Sequence, residues 1–461
     1  MTTTLVRPPT AREVRVRLRR ARRGHHDKSL GDFLTDLYVV GWFVVMYGFV
    51  LVQAARQYLH PASGGTARPA ERYWIGVAVV VAAAGLGWLA LRAVGPLLVT
   101  PAAQTWFVST PVDRRGWLLP RLWALLAGAA VGSAVLALAG TGLGARPEPG
   151  WAVLAGALLG VAAAALAVAA QGSARGWPRL VGAVVLGAAA IVAVAVVGSH
   201  YARLALAVPE AKVAAVLAVA GLPLAVAAVA RAVRVLPRLD RAVLTGGAQL
   251  ATAAVTAVTV LDLSLLSGVL EGRRWRKVGR VTSRPFRRLG RFGVLVQADL
   301  RRQVRRPSVP LLWVVLVLAQ YATAVAVPSI AGIAQIVFAY LAADRLTGGL
   351  RTVCRSPGLR RAIGGSERTV KLAHLVVPAV GTVLWWLATV PVGGAASAGL
   401  QVVLVAGVIA AVYRAATRPP MRYGGPAIET PFGLFPADLL RQLTRGPDVL
   451  AVVIVLYSLV T

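Results

Sequence analysis

Ten apolar runs, each as long as a bilayer-crossing helix or close to it, constrain this 461-residue chain more than any other feature. A helix needs about 20 predominantly apolar residues to cross the hydrocarbon core, and inside lipid a helix satisfies all of its own backbone polar groups. The runs are Leu34 to Gln53, Tyr73 to Val94, Trp117 to Leu143, Trp151 to Gln171, Leu180 to Gly198 and Val213 to Val235, then Val309 to Val327, Ser329 to Leu346, Leu372 to Val392 and Ala396 to Tyr413. An eleventh, Val449 to Thr461, is too short for a full span. The pattern predicts an all-α integral membrane protein with ten to eleven transmembrane helices.

Charge orders these runs. Lys and Arg number 50 against 17 acidic residues, a formal net charge of +33. So basic a chain points to nucleic acid when its cations share one soluble face. Here they sit between apolar runs, and nucleic acid is not an expected partner. With 57% apolar and 15% charged residues, a soluble enzyme, a disordered tail and a secreted scaffold are all excluded. The single cysteine, Cys354, allows no internal disulfide and no cysteine metal cluster. With the N-terminus in the cytoplasm and alternating spans, 44 of the 50 basic residues fall on the cytoplasmic side and 6 outside. That asymmetry is the positive-inside rule, and it predicts a multi-pass protein of the cell membrane with a cytoplasmic N-terminus.

Four regions follow. Residues 1–33 form a basic cytoplasmic arm suited to anionic lipid headgroups, and residues 34–235 form a first transmembrane half of six spans. Residues 236–307 form a basic cytoplasmic linker, and residues 308–461 a second half of four to five spans. Within the linker, Leu244 to Leu270 is apolar but carries a polar stripe of Thr245, Gln249, Thr252, Thr256, Thr259 and Asp262 at helical spacing. Both of its flanks are basic, so it is expected to be an amphipathic cytoplasmic helix rather than a span.

The halves repeat loosely. Thr110-Pro111-Val112-Asp113-Arg114-Arg115 and Ser356-Pro357-Gly358-Leu359-Arg360-Arg361 both read hydroxyl-Pro-x-x-Arg-Arg, and each follows the second span of its half. Thr110 and Ser356 are suited to cap a short helix, with Pro111 and Pro357 in its first position and Asp113 one turn in. The Arg pairs then lie on that short surface helix, or they simply anchor the ends of spans. Asp36-Leu37 and Asp299-Leu300 precede the first and seventh runs, the latter in an amphipathic stretch from Arg291 to Arg306. This order of interfacial helix, two spans and Pro-x-x-Arg-Arg loop resembles the permease subunits of ABC-2-type exporters. Trp106 to Arg115, Gly348-Gly349-Leu350-Arg351 with Ser356-Pro357, Thr430-Pro431-Phe432-Gly433 and Arg445-Gly446-Pro447-Asp448 are similar to a family of actinobacterial multi-pass membrane proteins of unknown function.

The exporter resemblance implies a separate ABC ATPase as partner, received by Thr110, Pro111, Asp113, Arg114, Arg115, Ser356, Pro357, Arg360 and Arg361. No phosphate-binding loop occurs around the four lysines, Lys28, Lys212, Lys277 and Lys371, so the chain itself is not expected to hydrolyse ATP. No acidic or basic residue lies near the middle of a run, which argues against ion-coupled transport. No cofactor, metal site or enzymatic activity is expected. His200 and Glu210 are placed in an outside loop, and His374 just inside the ninth span beside the cytoplasmic face. Gln171, Gln320, Gln335 and Gln401 are expected to join helices. The alternative to an exporter subunit is a non-transport membrane scaffold or assembly protein.

Overall fold

The structure, a computed structural model, describes residues 68–97, 113–143, 149–171, 177–239, 289–305, 308–393, 397–419, 427–430, 433–436 and 444–461, with a few isolated residues elsewhere. The run Leu34 to Gln53, most of the basic arm and almost all of Leu244 to Leu270 lie outside the described residues, as do Thr110 and Pro111. The chain divides into two compact units, the first containing Arg68–Val255 and the second Thr256–Thr461.

The first unit holds five long helices: α1 (Pro69–Val94), α2 (Arg114–Leu143), α3 (Gly150–Gln171), α4 (Trp177–Tyr201) and α5 (Ala211–Val235). The central helix is α3, which packs against both α2 and α5, while α1 packs against α4 and α2. Its buried face is nearly all alanine, Ala162, Ala164, Ala165, Ala167, Ala169 and Ala170 around Val168. Small residues let backbones approach closely, which matters where lipid removes the hydrophobic drive for helix association. Glycine does the same toward α2: a Cβ on Gly156 would fall 2.6 Å from Ala137 Cβ and 2.9 Å from the Ser133 carbonyl oxygen. At the end of α3, Gln171 closes a two-way amide clamp with Leu97, accepting from its N–H at 3.1 Å and donating to its carbonyl at 3.1 Å.

The second unit begins with an amphipathic helix, α6 (Arg291–Val304), followed by α7 (Ser308–Ala326) and α8 (Ala331–Leu346). Two short helices, α9 (Gly348–Arg355) and α10 (Pro357–Ile363), lead to α11 (Glu367–Thr389), α12 (Ala398–Ala416) and α13 (Pro447–Val460). A hairpin of β1 (Ala427–Thr430) and β2 (Gly433–Pro436), with Thr430 paired to Gly433, is the sheet among the described residues. Helix α8 is central and touches α7, α11, α12 and α13. Ile336, Ala339, Trp385, Leu404 and Val408 make its core. The expected glutamine joints are present. Gln320 donates to the Ala331 carbonyl at 2.9 Å, Gln335 to Thr389 Oγ1 at 3.2 Å, and Trp386 Nε1 donates to Gln401 Oε1 at 2.5 Å.

Eight helices among the described residues are long and apolar enough to cross a membrane, and two shorter apolar segments, Leu311–Ala326 and Pro447–Val460, accompany them. At 1.5 Å per residue α13 is about 21 Å long, short of the roughly 30 Å hydrocarbon core.

Candidate functional site

At one end of the second unit, three stretches far apart in sequence meet. Asp299 comes from α6, Gly349 from α9, and His374 stands about two turns into α11. His374 Nδ1 lies 2.6 Å from Asp299 Oδ2, and the residues are only 5% and 3% exposed. With Asp299 ionised, Nδ1 carries the proton and donates it to the carboxylate. Among the described residues, Nε2 is then buried with no hydrogen-bond partner. The α9 backbone presses on the same carboxylate at Gly349, leaving no room there for a Cβ.

Further polar bonds hold α6 across this end. Gln303 Nε2 donates to the Leu346 carbonyl at 3.0 Å, where α8 stops, and Arg302 donates to Thr352 Oγ1 on α9 at 3.2 Å. Arg291 donates to the Ile363 carbonyl, where α10 stops. Burial lowers the pKa of the Arg302 guanidinium, while the nearby Asp299 charge works the other way. Asp344, in the last turn of α8, pairs with Arg351 of α9. Orphan carbonyls at helix C-termini are thus met by amide and guanidinium donors rather than left bare.

The loop residues singled out by sequence divide between the units. In the second, Ser356 caps α10 as expected, its Oγ accepting from the Leu359 N–H at 3.3 Å, and Pro357 takes the first position. Arg360 pairs with Glu367, and Arg361 is exposed. In the first, the expected short helix gives way to a different arrangement. Asp113 is not one turn in but is itself the cap: its two carboxylate oxygens accept the Arg115 N–H at 3.0 Å and the Gly116 N–H at 2.9 Å. The Arg pair therefore opens α2, which runs on unbroken for 30 residues. A carboxylate with two free acceptors satisfies two orphan N–H groups at once, which makes it a strong cap where it stands. Arg114 Nη1 donates to the Leu239 carbonyl at 3.1 Å, and Arg115 is exposed.

A second carboxylate–imidazole pair lies in the first unit. Glu71, 1% exposed in the first turn of α1, meets His200 Nδ1 at 3.0 Å. The sequence placed His200 in a loop, but α4 extends three residues past the apolar run and His200 sits in its last turn. Glu71 also accepts the Arg68 N–H at 2.8 Å, a local capping pattern that Arg68-Pro69-Ala70-Glu71 makes legible. Its imidazole partner, 129 residues on, leaves no such local mark. Among the described residues no three His, Cys, Asp or Glu side chains group as metal ligands.

Taken with the apolar helices, this architecture is that of a helical protein suited to a membrane, closed at its helix ends by buried polar pairs. Residues 65–426 match the family described as a family of unknown function, DUF6297, and the chain belongs to that family. No curated protein and no solved structure matches it.

Proposed function

We propose that the chain is the permease-like subunit of an ABC-type exporter in the cell membrane, moving its substrate with energy from a separate ATPase. It spans the membrane ten or eleven times in two loosely repeated halves, with the N-terminus and the amphipathic helices on the cytoplasmic side. Anionic headgroups meet its basic segments. The observation that supports this reading best is the matched treatment of the two Arg pairs. In each, the first arginine is tied to a neighbour, Arg114 to the Leu239 carbonyl and Arg360 to the exposed Glu367, and the second is exposed, Arg115 in the first turn of α2 and Arg361 in the last turn of α10. A tethered neighbour orders the backbone, and an exposed guanidinium offers a planar fork to acidic or carbonyl groups on a partner.

The test is co-purification with the ATPase encoded nearest to this chain, together with ATPase turnover in reconstituted vesicles. The variant Arg115→Lys with Arg361→Lys keeps charge and topology and is expected to bind the ATPase more weakly and stimulate it less. Arg114→Lys with Arg360→Lys is expected to act mainly on thermal stability. The tied arginines also suit a second reading, a non-transport scaffold whose arginines anchor helix ends. Wild-type coupling in the Arg115 and Arg361 variant, or no ATPase partner at all, would favour the scaffold.

A further inference from the structure

Beside Arg361 the surface is hollow. A shallow open concavity of about 280 Å³ is lined by Pro357, Arg360, Arg361, Gly364, Gly365 and Glu367, with Val370 at its base. Gly364 and Gly365 take left-handed φ angles of 70° and 76°, and the Arg291 guanidinium packs against them, so that a Cβ on Gly365 would fall 2.6 Å from Arg291 Cζ. A second concavity shares Glu367 and adds Arg368, Lys371, Leu372 and Tyr413.

The charge balance of these walls is lopsided. Arg291, Arg360, Arg361, Arg368 and Lys371 face one carboxylate, Glu367. Glu367 holds Arg360 and, at 2.8 Å, Lys371, so it offsets one unit of charge in all. The bond from Arg291 goes to a neutral carbonyl, which leaves its charge uncompensated. Arg361 and Arg368 are exposed on either side of the Gly364-Gly365-Ser366 turn. Beside these cations stand exposed apolar side chains, Leu359 and Leu372, and α11, a helix long enough to span, starts here. Clustered cations next to exposed apolar groups at a helix end suit a ligand that is itself half phosphate and half hydrocarbon.

We infer that this double concavity binds the phosphate of an anionic phospholipid, Arg361 and Arg368 supplying the contacts from its walls and the exposed Arg291, packed against Gly365, adding a third cation at its edge. The inference rests on the membrane placement of α11 and not on any ATPase. It goes beyond general headgroup attraction to basic segments by naming a site.

The experiment uses the full chain in nanodiscs of phosphatidylcholine, with spin-labelled phosphatidylglycerol as probe and spin-labelled phosphatidylcholine as control. The wild type is expected to retain phosphatidylglycerol preferentially. Arg361→Gln with Arg368→Gln is expected to lower that preference about thirty-fold, roughly five-fold per cation. Both residues are exposed, so thermal unfolding should stay unchanged, and the Lys pair at the same positions should recover most of the binding. Equal preference in wild type and the Gln pair would overturn the site. Displacement of the probe by inorganic phosphate at constant ionic strength would make it a free-phosphate site and overturn the lipid assignment. No ATPase is present, so failure here is separate from failure of coupling.

Discussion

An ionised carboxylate taken out of water is stable only where charge or hydrogen bonds replace its hydration, and removing one member of a buried pair typically costs about 3–5 kcal/mol. Asp299 and His374 are such a pair. His374→Ala strands the Asp299 carboxylate against the Gly349 backbone and is expected to destabilise the protein by about that amount. Asp299→Ala with His374→Ala should cost clearly less than the sum of the single changes. Thermal unfolding in detergent reads both, and simple additivity would mean that the 2.6 Å contact carries no coupling energy. Cys354 belongs at the same scale. Burial raises its thiol pKa, and Glu367 adds to that, while Lys371 and Arg360 pull it back. A raised pKa means less thiolate at neutral pH, so iodoacetamide labelling should lag a fully exposed thiol and speed up as pH rises past the ordinary thiol range. Sequence put His374 at the end of its span and Asp299 in an amphipathic stretch. Their meeting across 75 residues was invisible, because it depends on how α6 folds back on α11.

At the scale of elements, legibility followed local physics. The helix starts at Ser356-Pro357 and the apolar lengths of α1 to α5 could be read directly, because capping and span length are properties of a few consecutive residues. The start of α2 could not, since Thr110-Pro111 and Asp113 both offer caps and only the folded chain chooses. Thr430-Pro431-Phe432-Gly433 stood out as a motif, and its ends prove to be the paired ends of a hairpin. The contact between α2 and α3 makes a direct prediction. Gly156→Val drives a branched side chain into Ala137 and the Ser133 carbonyl. Overpacking of this kind usually costs about 1–3 kcal/mol. The change should lower the unfolding temperature in detergent, whereas Gly187→Val on α4, where nothing lies within 4 Å, should be nearly silent.

For the whole molecule, the exposed apolar surface is the governing fact. Leu180, Val184 and Ile191 on α4, and Val216, Val219 and Val226 on α5, are all more than 60% exposed. Patches of that extent drive association in water but are at home among lipid tails. On the proposed topology the basic residues divide 44 to 6, the asymmetry that the positive-inside rule asks for. Reporter fusions after Arg241 and after Lys277 are expected both to register in the cytoplasm, and opposite signals would mean that Leu244 to Leu270 crosses the membrane. The α6 clasp bears on how such a chain is made. Ribosomes deliver segments in order, so α6 emerges well before His374 exists. Until α11 arrives, Asp299 has no imidazole to pair with. The clasp can therefore close only after the intervening helices have been threaded, and a chain with Asp299 sealed away is one whose second unit has completed its assembly through α11.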